Sequence, residues 1–280
     1  MSVKRTPDEV TISPRDINFD VAAARKGYWM DGDPVATAIM NSLSLTFPDG
    51  ERMFIDAVKA YKSQVSEKLQ KDVQDFIRQE AIHSREHHML NELIDHEKYP
   101  VEEIEQIVRD RIKIGRDNGP MAMLVATICL EHLTAMMADL MVDREDMYDN
   151  TDPAIEQLWR WHAMEETEHK AVAYDVFLEV TQDWSPFKRW TRRCISMAII
   201  GRNFVKNIET FSVMMLQADG WDEKSARKAV KRYLWKSPNL FGKKPGLFFS
   251  WFKPGFHPWD HDNRPLMAEW KAEFDAVAAE

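Results

Sequence analysis

The chain has 280 residues, 44% of them hydrophobic, with 37 basic and 46 acidic side chains and a formal charge of −9. That is enough apolar material for a sizeable core, and the acidic balance argues against nucleic acid as the main partner. Cys129 and Cys194, the two cysteines, exclude a disulfide scaffold and fit buried free thiols in a reducing, cytoplasmic setting. No apolar segment follows the charged start, and the longest apolar runs, around 121–130 and 195–200, fall short of the roughly 20 residues of a membrane span. With only 10 Gly and 13 Pro and no run of strand-like alternation, the expected class is all-α.

Residues 1–33 read as an irregular arm pinned to the body by Tyr28, Trp29 and Met30. Asp33 and Pro34 suit the cap and first turn of a helix over 36–45, which Phe47-Pro48-Asp49-Gly50 then breaks. Asp49 caps a second start that carries Glu51, Phe54, Ile55 and Val58 at helical spacing to about residue 61. Residues 66–96 lack Gly and Pro and predict a long helix with Phe76, Glu80, His83 and His87 on its inner face. After Tyr99-Pro100 a shorter helix covers 101–114, and Asn118-Gly119-Pro120 precedes an apolar helix to about residue 143 that carries Glu131 and Thr134. An acidic turn over 143–152 leads to Pro153 and one long helix to about residue 181. Helices over 186–216 and 222–235 follow. The tail, rich in Pro, Gly and aromatics, ends in a short helix over 265–278. The expected organisation is an arm over 1–33, a helical domain over 34–236 and an aromatic tail over 237–280 packed on the bundle.

The chemistry lies in carboxylates and imidazoles that sit where the helical pattern expects apolar residues. Glu80 and His83 form Glu-x-x-His; Glu166 and His169 form a second, with His162 one turn before; Glu51 and Glu131 stand alone among apolar neighbours. Residues three or four apart share one helix face, so a Glu can bridge two metals while its His binds one of them. The order Glu, Glu-x-x-His, Glu, Glu-x-x-His is the plan of ferritin-like dinuclear carboxylate bundles. Each half-motif is common on solvated faces, and the ordered set carries the weight. The expected fold is therefore a ferritin-like helical bundle with a dinuclear metal site in its core and extra C-terminal helices. Its expected ligands are Glu51, Glu80, His83, Glu131, His162, Glu166 and His169. His87 is expected as a supporting group or alternative ligand, Thr134 as a hydrogen-bond donor near the metals or a packing residue, and Glu165 as a support. His88, His96 and His132 read as surface or packing residues. His257, Asp260, His261 and Asp262 in the tail suit either a second metal site or a rigid aromatic loop over the bundle.

Four segments resemble the bacterial "predicted metal-dependent hydrolase" family, which is grouped with ferritin-like folds. They are Phe47-Pro48-x-Gly50-Glu51, Glu80-x-x-His83, Trp161-His162-x-x-Glu165-Glu166-x-Glu168-His169-Lys170 and Pro254-Gly255-Phe256-His257-Pro258. The ligand pattern with its extra histidine is also similar to that of p-aminobenzoate N-oxygenase-type di-iron enzymes, and that resemblance implies the same seven ligands. The leading expectation is a non-haem di-iron or iron/manganese oxidoreductase or oxygenase acting on a small organic substrate, with O2 and an external reductant as partners. The alternative is a dinuclear metal-dependent hydrolase, and the third reading is a non-enzymatic metal-binding protein. Two iron ions are the expected cofactor, with manganese or zinc as alternatives. Neither nucleic acid nor a transmembrane segment is expected, and a homodimer is left open.

Overall fold

The computed structural model describes residues 4–24, 27–142, 148–237 and 239–279, and every regular element among them is helical. In chain order these are α1 (Pro34–Ser44), α2 (Phe47–Lys59), α3 (Glu67–Asn91), α4 (Val101–Asp117), α5 (Pro120–Val142) and α6 (Pro153–His169). They continue with α7 (Val172–Val180), α8 (Pro186–Ala218), α9 (Glu223–Trp235), α10 (Pro245–Ser250) and α11 (Arg264–Val277). Cap chemistry sets several starts, because a side-chain oxygen satisfies an amide that has no partner within the helix. Asp33 accepts from the Val35 and Ala36 amides at 2.7 and 3.2 Å, and Asp152 accepts from Ala154 at 3.0 Å. Between α4 and α5 the chain turns at Gly119, whose φ of 88° lies in the left-handed region that favours glycine.

Several expectations need correction. Phe47-Pro48-Asp49-Gly50 is not a break but the first turn of α2, where a proline costs no helical hydrogen bond. The junction lies earlier, at Leu45 and Thr46, both in helical conformation, and Asp49 sits in the first turn rather than at the cap. The single helix expected over 153–181 is two: α6 ends at His169, Ala171 takes φ −110° and ψ −8°, and α7 starts again at Val172. Helix α3 stops at Asn91 and α4 runs on to Asp117. In the arm, Trp29 and Met30 are buried, whereas Tyr28 is exposed and meets the body only through a side-chain hydrogen bond with Asp219. Ile17, Phe19 and Val21 pin the arm instead. The tail contains the unforeseen α10. Of the acidic turn expected over 143–152, residues 143–147 lie outside the described residues.

Helices α2, α3, α6 and α5 close a ring, each packed against the next, and α7 continues α6 between α3 and α5. Outside it, α4 covers α2 and α5, α1 packs on α8, and α8 lies along α5. Helix α5 is apolar on nearly all sides. Over Pro120–Met141 its mean hydropathy of 1.6 and its length would suffice to cross a membrane, an exception to the shorter runs seen in the sequence. Its most apolar window is 67% buried within the fold, which is the composition of a central helix enclosed by others.

The tail is part of this core. Trp251 is fully buried, donates from Nε1 to the Arg193 carbonyl at 3.3 Å, and packs against His132 and Phe256 with ring centroids 4.8 and 5.3 Å away. Both ring nitrogens of His257 are engaged, Nε2 with Asp175 at 3.0 Å and Nδ1 accepting from the Trp259 amide at 3.2 Å. His261 pairs with Asp139 at 2.9 Å. These histidines fasten the loop, and among the described residues the tail contributes to no cluster of three metal-ligand atoms. Trp251→Ala is expected to lower the unfolding free energy by about 3–5 kcal/mol, measured by urea denaturation. An unchanged midpoint would show that the tail is not integral to the fold.

Candidate metal centre

Each side of the helical ring turns polar side chains to the axis. Helix α2 supplies Glu51, α3 supplies Glu80 and His83, α5 supplies Glu131, and α6 supplies His162, Glu166 and His169. None of the seven is more than 4% exposed. Their atoms fall into close groups: Glu80, Glu131 and His169 form one, Glu51, His83 and His162 another, and Glu80, His83 and Glu166 a third between them. Within each group the ligand atoms lie within 4.8 Å of one another. Glu166 is central. Its Oε1 lies 2.9 Å from His162 Nε2, 3.5 Å from His169 Nε2 and 3.9 Å from His83 Nδ1.

All six oxygen sites of Glu51, Glu80 and Glu131 face the axis without a donor among the described residues. So do two nitrogen sites, His83 Nδ1 and His169 Nε2. Leaving so many buried polar atoms unpartnered is costly. Lone pairs of oxygen and imidazole nitrogen converging from four helices are the chemistry of a divalent-cation site. The residues present therefore fit a metal pair.

The electrostatics agree. Burial, and then repulsion from neighbouring carboxylates, pushes Glu51, Glu80 and Glu131 well above the ordinary carboxylate range. Burial pushes Glu166 the same way, but the charges of His169 and His162 and their hydrogen bonds outweigh it and hold this carboxyl well below that range. Burial, followed by the proximity of His162, drives His83 and His87 well below the usual imidazole value.

Hydrogen bonds on the far side of each ring set its tautomer. His83 Nε2 donates to Glu165 Oε2 at 3.0 Å, which leaves Nδ1 as the lone pair facing the axis. His169 Nδ1 donates to Gln79 Oε1 at 3.0 Å, which turns Nε2 to the axis, 3.5 Å from Glu166 Oε1. His162 Nδ1 meets His87 Nε2 at 2.6 Å, His87 Nδ1 meets the Ser44 hydroxyl at 2.9 Å, and Ser44 donates to Asn91 Oδ1 at 2.6 Å. Because Ser44 spends its proton on Asn91, it accepts from His87, so His87 Nε2 accepts from His162, and the axial Nε2 of His162 turns to Glu166 Oε1 at 2.9 Å. Both nitrogens of His87 are thus in use, and among the described residues no close ligand group includes it. Thr134 donates to Glu166 Oε2 at 2.5 Å, which leaves Oε1 to the centre. His132 is buried against Trp251 and Phe256, His88 is exposed, and His96 meets the Asn91 carbonyl.

Sequence reasoning missed Gln79, Ser44 and Asn91. Gln79 stands three residues after Phe76 and four before His83, a spacing that places it on the inner face, but an amide there does not announce a role. Ser44 and Asn91 belong to helix ends, where such residues are ordinary.

In the metal-free protein, the raised values of Glu51, Glu80 and Glu131 mean that their contribution to stability is present below the ordinary carboxylate range and is lost as pH rises through the raised values. Cations must displace those protons. Metal affinity is expected to rise with pH, by about tenfold per pH unit for each proton displaced. Titration calorimetry in buffers of different ionisation enthalpy reads the release directly, and pH-independent binding without release would contradict this electrostatic account.

The chain matches the family described as "Predicted metal-dependent hydrolase" over residues 13–262, a span that takes in the arm from Ser13, all seven converging side chains and the aromatic loop. No curated protein and no solved structure matches it. Coverage of this extent, over a chain whose core gathers metal-ligand groups from four helices, places the protein in the predicted metal-dependent hydrolase family.

Proposed function

We propose that the protein is a hydrolase with a dinuclear metal centre. Glu80, Glu131 and His169 hold one divalent ion, Glu51, His83 and His162 hold the other, and Glu166 is shared. The observation that carries this reading is the convergence of unpartnered, buried ligand atoms into adjoining groups along one bundle axis; the family match supports hydrolysis as the reaction. Bound there, a pair of divalent ions supplies a Lewis acid and a water acidic enough to act as nucleophile near neutral pH.

The chain's own residues prepare the site. Glu165, Gln79 and His87 hold the three imidazoles with their axial lone pairs inward, and Thr134 fixes the orientation of Glu166. A narrow apolar cleft lined by Leu43, Phe47, Met137, Met141 and Trp159 opens onto His162 and Glu166, beside Thr134. Its apolar lining keeps bulk water from the carboxylates, which strengthens every interaction within.

A second reading, oxidation by O2 at a di-iron or iron/manganese centre with an external reductant, is favoured by the ligand set itself. Four glutamates and three histidines with no thiolate suit iron and manganese, and the His162-x3-Glu166-x2-His169 pattern is similar to that of di-iron N-oxygenases.

Protein purified without chelators and analysed by elemental mass spectrometry is expected to carry two ions per chain, His83→Ala one, and Glu166→Ala fewer than two. Full occupancy in both variants would refute the ligand assignment. Under anaerobic conditions, the zinc- or manganese-loaded protein should cleave members of an ester, amide and phosphoester panel. Turnover only with iron and O2, with O2 consumed by the reduced protein, would overturn hydrolysis in favour of oxidation.

A further inference from the structure

The N-terminal arm carries a residue that bears on the centre although it lies outside the helical ring. Arg15 is only 2% exposed, an unusual placement for a guanidinium in a segment without helix or strand. Its Nη1 donates to Glu165 Oε1 at 3.0 Å, and its backbone amide donates to the same oxygen at 3.2 Å. The other oxygen of Glu165 receives His83 Nε2. Arg15 also grips Glu168 with both terminal nitrogens, Nη1 to Oε2 at 3.0 Å and Nη2 to Oε1 at 2.9 Å. Glu168 Oε2 in turn accepts from Gln79 Nε2 at 3.1 Å. An amide that donates to a carboxylate from its nitrogen must present its oxygen elsewhere, and Gln79 Oε1 receives His169 Nδ1. Two chains of hydrogen bonds, Arg15–Glu165–His83 and Arg15–Glu168–Gln79–His169, therefore start from one side chain. They end on histidines that belong to different ligand groups.

We propose that Arg15 is the positioning residue for both halves of the metal centre, setting ring orientation and tautomer of His83 and His169 through their outer partners. The proposal rests on the dinuclear reading above. A planar guanidinium serves Glu165, Glu168 and, through Nε, Asp275 at 2.7 Å at once because its donors leave in fixed, divergent directions; an ammonium is a single point and cannot reproduce the fork. Without it, Glu165 loses the cation that aims it, Glu168 keeps only Lys271 at 3.4 Å, and each histidine gains freedom to rotate or to present the wrong nitrogen. Outer partners of metal-bound histidines typically contribute about 10- to 100-fold to metal affinity.

The test uses the full chain, stripped of metal and titrated with cobalt(II), whose affinity is read by calorimetry and whose visible absorption reports ligand geometry. Wild type should bind two ions. Arg15→Lys, which keeps the charge, should weaken both by about tenfold or more and alter the spectrum. Glu165→Gln should weaken only the ion held with His83, and Gln79→Met only the ion held with His169, so the proposal stays testable if the Arg15 variant does not fold. Arg85 holds the same arm, through Asp16 at 2.7 Å and the Ile17 carbonyl at 3.1 Å, and neither contact belongs to a histidine chain. Arg85→Ala should leave both affinities unchanged. The proposal is overturned if folded Arg15→Lys binds both ions as wild type does, if Arg85→Ala weakens them equally, or if either single-chain variant weakens both ions alike. A wild-type chain that takes up no cobalt overturns the dinuclear reading itself, and the role of Arg15 with it.

Discussion

Glu51, Glu80 and Glu131 repel one another and are shut away from water at the axis of four helices, and much of the structure follows from that constraint. Charges in such a place cost several kcal/mol each unless something opposite in sign comes with them. The bundle brings imidazoles close, but among the described residues no nitrogen or hydroxyl donor is aimed at these oxygens. Around the centre the chain is closely packed: α1 and α8 lie against one flank, α4 against another, and the tail covers a third through Trp251 and Phe256. A low-dielectric surround makes each polar interaction at the axis stronger and each missing one more costly.

Helix α6 shows how one short segment meets both demands. His162, Glu166 and His169 recur at four and three residues and turn to the axis, while Glu165 and Glu168, each one residue before an axial group, look outward to Arg15. Two and a half turns thus provide three axial groups and two anchors for histidines, one of them on α3. At the end of the helix the Lys170 ammonium donates to the His261 carbonyl and to Asn263 at 2.8 and 2.7 Å, tying the aromatic tail to the same segment.

The bundle and the meeting of the axial groups were legible because both depend on local spacing. A carboxylate and an imidazole three apart must share a helix face, and a lone Glu131 within an apolar run has nowhere to go but inward. What escaped notice depends on the chain folding back. Arg15 lies in a segment with no periodicity, and the carboxylates it engages on α6 are 150 and 153 residues away in the chain. Gln79 looked like any polar helix residue because its role requires both His169 and Glu168, from another helix. Phe47-Pro48-Asp49-Gly50 carries the residues of a turn, and a proline fits the start of a helix as well as its end. The α6–α7 break has neither Gly nor Pro to mark it.

The two ligand groups flanking Glu166 are not alike. One presents two carboxylates and one imidazole, the other one carboxylate and two imidazoles. On the dinuclear reading proposed above, with Glu166 between the two groups, the first would offer one more carboxylate and so the harder set of donors. Of two different metals, the harder would then sit next to Glu80 and Glu131 and the softer next to His83 and His162.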